Sequence, residues 1–308
     1  MKPLFVGTRG SALALAQAEM TEQALQAAFP QREIVRKIIT TTGDRRTDVP
    51  LSEVAKSEGE LDKGVFTKEL EIALENGEID LAVHSMKDVP TVLAEHFIVA
   101  GALERAPSRD VLVCREATSL DALREGATVA TSSVRRQRQL QWLRPDIELV
   151  DIRGNVPTRL QKLRDHDELD AIMLAEAGLL RLGYDLDAEL EGGLHAFALS
   201  ADEFMPAAGQ GIVGFEIRKG DADAQTCIDK INHHESMLLL RAEREFLRLL
   251  DAGCHTPVGV NSWLDGKTLH MKARVFDEHS NADPVEAEVK GRAKKAEKVA
   301  RKLFKSLE

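Results

Sequence analysis

The chain has 308 residues, 43% hydrophobic and 30% charged, so it reads as a globular protein too long for one ordinary core. Its formal net charge of −10 argues against nucleic acid and anionic membrane as partners, and leaves any anion site to local chemistry. No apolar run approaches the roughly 20 residues of a membrane span, and the odd cysteine count, Cys114, Cys227 and Cys254, at long spacings suits neither a disulfide framework nor a zinc site.

Several segments share one design: an apolar strand, a short polar turn, then an amphipathic helix. Leu4 to Gly7 runs into Thr8-Arg9-Gly10-Ser11 and a helix from Ala12 to Phe29, stopped by Pro30. Thr41 to Lys63 has weak periodicity and many Gly and charged residues, which predicts a long mobile loop. A helix follows from Phe66 to Asn76, with Gly77 as its stop. The strand Ile79 to Val83 leads into His84-Ser85-Met86-Lys87-Asp88-Val89-Pro90. Thr128 to Ala130 leads into Thr131-Ser132-Ser133-Val134-Arg135-Arg136. Ile147 to Ile152 leads into Arg153-Gly154-Asn155-Val156-Pro157, and Ala171 to Leu174 into a helix through Arg181. After Gly220 the character changes to a Leu-rich helix, Glu235 to Leu250, then a hairpin about Asp265-Gly266, a strand from Val285 to Val289 and a basic helix from Ala293 to Phe304.

Strands alternating with helices predict α/β domains with parallel or mixed sheets, whose ligands sit outside the carboxyl ends of the strands. Those ends here carry Ser, Thr, Arg, Lys and one Asp, which describes an anion-binding cleft inside an acidic protein. Any single arginine is more often a solvated surface charge. Arg9, Arg135, Arg136, Arg153, Arg159 and Arg181 together, at strand ends or in helical turns, suit a polyanion bearing carboxylates. Asp88 reads either as a surface partner of Lys87 or as a carboxylate that accepts an N–H and stabilises a developing cation. Cys254, in a turn between a helix end and a strand, is more accessible than a cysteine inside either element, although a buried thiol is the commoner case. Pro206-Ala207-Ala208-Gly209-Gln210-Gly211 leads into a strand and lacks the P-loop lysine, so it reads as a tight turn or domain crossover.

Taken together these motifs resemble one family, the porphobilinogen deaminases. The match runs through Gly7-Thr8-Arg9-Gly10-Ser11, Lys63-Gly64-Val65-Phe66-Thr67-Lys68-Glu69-Leu70, His84 to Pro90, Thr131 to Arg136, Arg153 to Leu160, Ala177 to Gly183, Pro206 to Gly211 and Gly253-Cys254-His255-Thr256-Pro257-Val258-Gly259, in family order. It departs from the family in the longer, acidic stretch Lys56 to Asp62, and in Gly10 and Ala12, where other members often have Gln and Pro.

The resemblance implies two α/β domains like those of periplasmic binding proteins plus a small C-terminal α+β domain. The first would comprise residues 1–103 completed by 203–219, the second 104–202 and the third 220–308. It implies head-to-tail condensation of four porphobilinogen molecules with loss of ammonia, then release of hydroxymethylbilane. The primer would be a dipyrromethane bound through a thioether to Cys254, and Asp88 would be the catalytic carboxylate. Ser85, Lys87, Thr131, Ser133, Arg135, Arg136 and Arg159 match cofactor-side contacts. Arg9, Ser11, Gln17, Lys63, Arg153 and Arg181 match substrate-side contacts. A cytoplasmic monomer with no nucleic-acid, membrane or metal partner is expected. Two rivals share parts of this pattern: a two-lobed binder of anionic solutes, and a cysteine hydrolase using Cys254 and His255.

Overall fold

The computed structural model describes residues 2–45, 66–117, 119–252, 256–278, 280 and 282–307. Lys63, Cys254 and most of the loop expected from Thr41 to Lys63 lie outside the described residues.

The first domain is built on a five-stranded sheet in the order β2-β1-β3-β10-β4. Its strands are β1 (Leu4–Thr8), β2 (Ile34–Ile38), β3 (Leu81–Ser85), β4 (Phe97–Ala102) and β10 (Val213–Arg218). The second domain carries β7-β6-β8-β5-β9: β5 (Asp110–Cys114), β6 (Thr128–Ala130), β7 (Glu148–Val150), β8 (Ala171–Ala175) and β9 (His195–Ala198). The two sheets repeat one topology without a sequence repeat. In each, four strands run in one direction and the fourth in the order runs against both its neighbours, and that strand is where the chain arrives from the other domain. Two crossovers, residues 103–109 and 199–212, therefore lie side by side between the domains.

The helices form where the apolar periodicity placed them. Helix α1 (Ala12–Ala28) is capped by Ser11, whose hydroxyl accepts from the Ala14 amide at 3.3 Å. The helix Lys68–Glu75 begins two residues later than its apolar pattern suggests. Helix Val134–Leu143 is capped by Ser133, and Val156–Asp165 by Asn155 with Pro157 in its first turn. Three strands were not anticipated from sequence: β2 is partly exposed along its length, and β4 and β9 are edge strands. Without a clean apolar alternation they carry little periodic signal.

The third domain pairs a meander, β11 (Val258–Asp265), β12 (Thr268–Val275) and β13 (Val285–Arg292), with helices His234–Leu249 and Ala296–Lys305. Its core gathers Phe246, Val260, Met271, Val299 and Leu303. Helix Ala222–Ile231 lies past the expected boundary at 219 but packs Ala224, Cys227 and Ile228 against Leu4, Val6 and Phe215 of the first domain. The third domain's own core starts only with the next helix, because the apolar face of 222–231 completes the first sheet rather than the small meander.

Candidate functional site

Strand β3 ends in a 3-10 turn, Met86–Asp88, at the carboxyl edge of the first sheet. The Met86 amide donates to the Ile212 carbonyl at 3.0 Å, and its side chain is buried, so the turn is anchored at its start while Lys87 and Asp88 stay solvent-exposed. Asp88 opens onto a pocket walled by Arg9, Ser11, Gln17, Phe66, Thr67 and Ser85. Gln17, on α1, donates to the Ser85 hydroxyl at 2.7 Å. The Arg9 guanidinium stacks over the Phe66 ring at 4.1 Å and donates to Asp44 at 3.1 Å. Burial works to raise the Asp44 carboxyl, but hydrogen bonds from Arg9 and Thr41 hold it below the usual range. Arg9 thus already has a protein counterion that the sequence did not point to.

The opposite wall is the carboxyl edge of the second sheet. The Thr131 hydroxyl accepts from the Ser133 amide at 3.3 Å and Ser133 caps the next helix, so both side chains shape the loop. Arg135 and Arg136 turn inward and converge on Asp110, which is fully buried at the start of β5. Arg135 Nη1 donates to Asp110 Oδ2 at 2.6 Å, and Arg136 Nε and Nη2 donate to Oδ1 at 2.8 and 2.7 Å. Arg135 also donates to the Met205 carbonyl and Arg136 to the Met173 carbonyl. Burial pushes the Asp110 carboxyl up, but the two guanidinium groups overcome it and hold it far below the ordinary range. Sequence reasoning left both arginines waiting for a ligand. Buried guanidinium groups require a counterion, and a strand-start aspartate supplies it.

The remaining cations are less well matched. Lys87 has no hydrogen-bond partner among the described residues, and its ammonium is drawn down to about 8 by the protein walls around it and by Arg136 and Arg135, against Asp88 and Asp110. Although exposed to water, it stands deep in a cleft rather than on an open surface. Arg159 is lowered to about 10 by burial and by the positive charge of Arg136 and Arg153, with Asp88 opposing. Arg181 is lowered to about 10 by burial and reaches across to the Gly211 carbonyl at 2.7 Å. Buried Nε atoms of Arg135 and Arg181 have no hydrogen-bond partner among the described residues. Lys87, Arg136 and Arg159 thus act on Asp88, and Lys87, Arg135 and Arg136 on Asp110, with Arg153 adding its charge beside Arg159. A carboxylate-rich ligand fits such a cluster.

Cys114 and Cys227 are both buried. Burial pushes the Cys114 thiol up to about 11 and raises that of Cys227. The first strand after Cys254 adjoins the interdomain crossover: the Val260 amide donates to the Pro206 carbonyl at 2.8 Å, next to the Met205 that Arg135 grips. A hollow of about 560 Å³ in the third domain, beside His234, Leu238 and Leu264, includes none of the expected site residues. Sequence reasoning missed Asp44 and Asp110, whose signal is only a carboxylate at an element's edge. It also missed Glu243, which faces inward from a Leu-rich helix.

A family model described as the porphobilinogen deaminase, dipyromethane cofactor binding domain matches residues 4–226, and one described as the porphobilinogen deaminase C-terminal domain matches 237–308. The porphobilinogen deaminase of Syntrophomonas wolfei is 42% identical over 300 residues, covering 95% of this chain and 94% of that one. The porphobilinogen deaminase of Roseiflexus sp. is 43% identical over 272 residues, covering 88% and 85%. Among solved structures, the periplasmic aliphatic sulphonate binding protein SsuA from Escherichia coli gives a TM-score of 0.42 at 14% identity, over 82% of this chain and 71% of that chain. With both family models and relatives matching along nearly all of its length, the chain belongs to the porphobilinogen deaminase family.

Proposed function

We propose that this chain is a hydroxymethylbilane synthase, a transferase that condenses four porphobilinogen molecules head to tail. The observation that carries the reading is the setting of Asp88: a carboxylate without a hydrogen-bond partner among the described residues, on the rim of a cation cluster that suits a polyanion.

The residues fit a dipyrromethane primer, because Lys87 and the buried Nε atoms of Arg135 and Arg181 present donors that no group among the described residues takes up. Bound there, the primer supplies the free pyrrole carbon to which each new unit is joined. Cys254 holds it through a thioether, a bond that survives turnover where an ester would hydrolyse. Lys87, Thr131, Ser133, Arg135, Arg136 and Arg159 would line its side of the cleft, Arg135 and Arg136 while also bound to Asp110, and Ser85 would link that group to the substrate pocket through Gln17. Arg9, Ser11, Gln17, Arg153 and Arg181 hold the incoming substrate's acetate and propionate. Lys63 joins them as a further substrate contact.

In each addition the substrate's aminomethyl C–N bond breaks and ammonia leaves, a new C–C bond forms, and the attacked ring carbon gives up its proton. Departure of ammonia leaves positive charge spread over the substrate pyrrole. Asp88 accepts the pyrrole N–H and stabilises that charge as a preorganised group. The same carboxylate would take up the ring proton. The cations hold carboxylates away from Asp88, so it stays free for the ring nitrogen. The chain acts as a cytoplasmic monomer.

Intact mass and steady-state porphobilinogen consumption test the reading together. The expected result is an added dipyrromethane mass, absent in Cys254→Ser and kept in Cys114→Ser and Cys227→Ser, with a porphyrin-forming product after acid and oxidation. An unmodified chain that binds porphobilinogen without consuming it would instead support an anion-binding protein.

A further inference from the structure

The third domain reaches the catalytic turn through two adjacent residues of one helix, Glu243 and Arg244. Arg244 donates to three successive carbonyls just after Asp88: Val89 at 3.3 Å, Pro90 at 2.7 Å and Thr91 at 3.0 Å. Glu243, fully buried, accepts from the Gly209 amide at 2.6 Å and from Arg105 at 2.7 Å. Gly209 in turn lies against the start of the turn: a Cβ there would stand 3.0 Å from the Met86 carbonyl carbon and 3.1 Å from the Lys87 amide. One helix therefore bonds the backbone just after Asp88 and holds Gly209, which lies against the backbone just before it.

The turn is already anchored by the Met86 amide and by Met86 and Val89 in the core. Of the residues bearing these carbonyls, Val89 is buried and Pro90 and Thr91 are half-buried, so the fork satisfies acceptors that water reaches poorly. An arginine fork spanning three carbonyls also fixes the direction of the chain leaving Asp88. Its three carbonyl bonds commit the Arg244 guanidinium to protein partners, and burial lowers it to about 10, with Glu216 opposing. The same helix ends at Leu249, a few residues before Cys254, so the domain that carries the proposed primer cysteine also sets the turn that carries the carboxylate.

We propose that Arg244 is a positioning residue: through the 89–91 backbone, with Glu243 bracing Gly209 from the other side, it holds Asp88 at the distance from the pyrrole ring that catalysis needs. This rests on the functional reading above. A displaced catalytic group of about 1 Å costs on the order of 10²-fold, so partial release of the turn should cost about tenfold or more in kcat with little change in KM.

The test is a double-mutant cycle on the loaded enzyme, with adduct mass and Tm recorded for every variant. Arg244→Met is expected to lower kcat about tenfold at near-constant KM. Arg244→Lys, which keeps the charge and some of the donors, should recover part of the loss. In the Asp88→Asn background, Arg244→Met should cost nothing further, because there is no carboxylate left to position. If Arg244→Met fails to fold, Arg244→Lys carries the same comparison. Equal losses in both backgrounds, or a loss in KM alone, overturn the clamp while leaving wild-type turnover intact. A wild-type chain without turnover overturns the functional reading, and the clamp with it.

Discussion

Arg136 and Asp110 face each other inside the wall between the domains, with Nε and Nη2 of the arginine 2.8 and 2.7 Å from one carboxylate oxygen. Arg135 completes the group from the other side, and Gln210 adds an amide donor to the same oxygen at 3.2 Å. The carboxylate therefore joins the second domain's first strand, its arginine-bearing helix and the returning crossover. Removing a buried ion's partner strands the charges that remain.

Asp110→Asn is accordingly expected to cost about 3–5 kcal/mol, read as a lower denaturant midpoint. The sign with pH follows from the lowered carboxyl. Its contribution is fully present above the unfolded-state pKa of about 4 and is lost as pH falls below that toward the folded value. Wild type should thus lose stability on acidification below about pH 4 more steeply than Asp110→Asn. Parallel acid curves for the two proteins would contradict this.

Lys87 offers a titration test of the anion cleft. In the cofactor-free protein its amine should titrate near 8, well below the ordinary 10.5. A carboxylate bound beside it favours the ammonium, so loading with dipyrromethane should move the titration upward. Without ligand the unfolded chain keeps this proton to higher pH than the native one, so this group makes the native state relatively more stable as pH rises above about 8. Lysine-selective NMR, assigned with Lys87→Arg, reads both values; an identical titration with and without the primer would remove Lys87 from the cofactor side.

Gly211 sits in the crossover at φ +84°, and an added Cβ would meet the Ala106 carbonyl oxygen at 2.3 Å. Gly77 has a similar φ of +70° with nothing nearby. Gly77→Ala should cost only the conformational penalty, about 1–2 kcal/mol. Gly211→Ala should cost clearly more, because a backbone oxygen in the neighbouring crossover must move, and Arg181 hydrogen-bonds to Gly211 itself. Thermal melts of both variants make the comparison; equal losses would show that the crossovers yield freely.

Asp88→Asn keeps the shape of an exposed side chain and removes its charge. Turnover should fall roughly 10²–10³-fold, the usual loss for a preorganised electrostatic stabiliser, with Tm unchanged and Asp88→Glu less impaired. Steady-state porphobilinogen consumption measures it. Near-normal turnover would show that the cation is stabilised elsewhere.

The sequence alone determined the local units and their chemistry. Apolar periodicity placed the helix from Ala12 and the meander about Asp265-Gly266, and the strand-end rule singled out Ser85 to Asp88 and Thr131 to Arg136. Those signals are legible because they depend on neighbours within a few residues. Tertiary structure decided what those groups meet. Asp110 is 25 residues from Arg135, Glu243 is 34 from Gly209, and Arg244 is 155 from Val89, so no window of sequence contains both partners. The same applies to helix Ala222–Ile231, whose apolar face suits either neighbouring core until the sheets are assembled. A side chain's charge is written in the sequence, but whether it is spent on a protein counterion or left for a ligand depends on long-range packing, because in a buried wall the nearest opposite charge takes it.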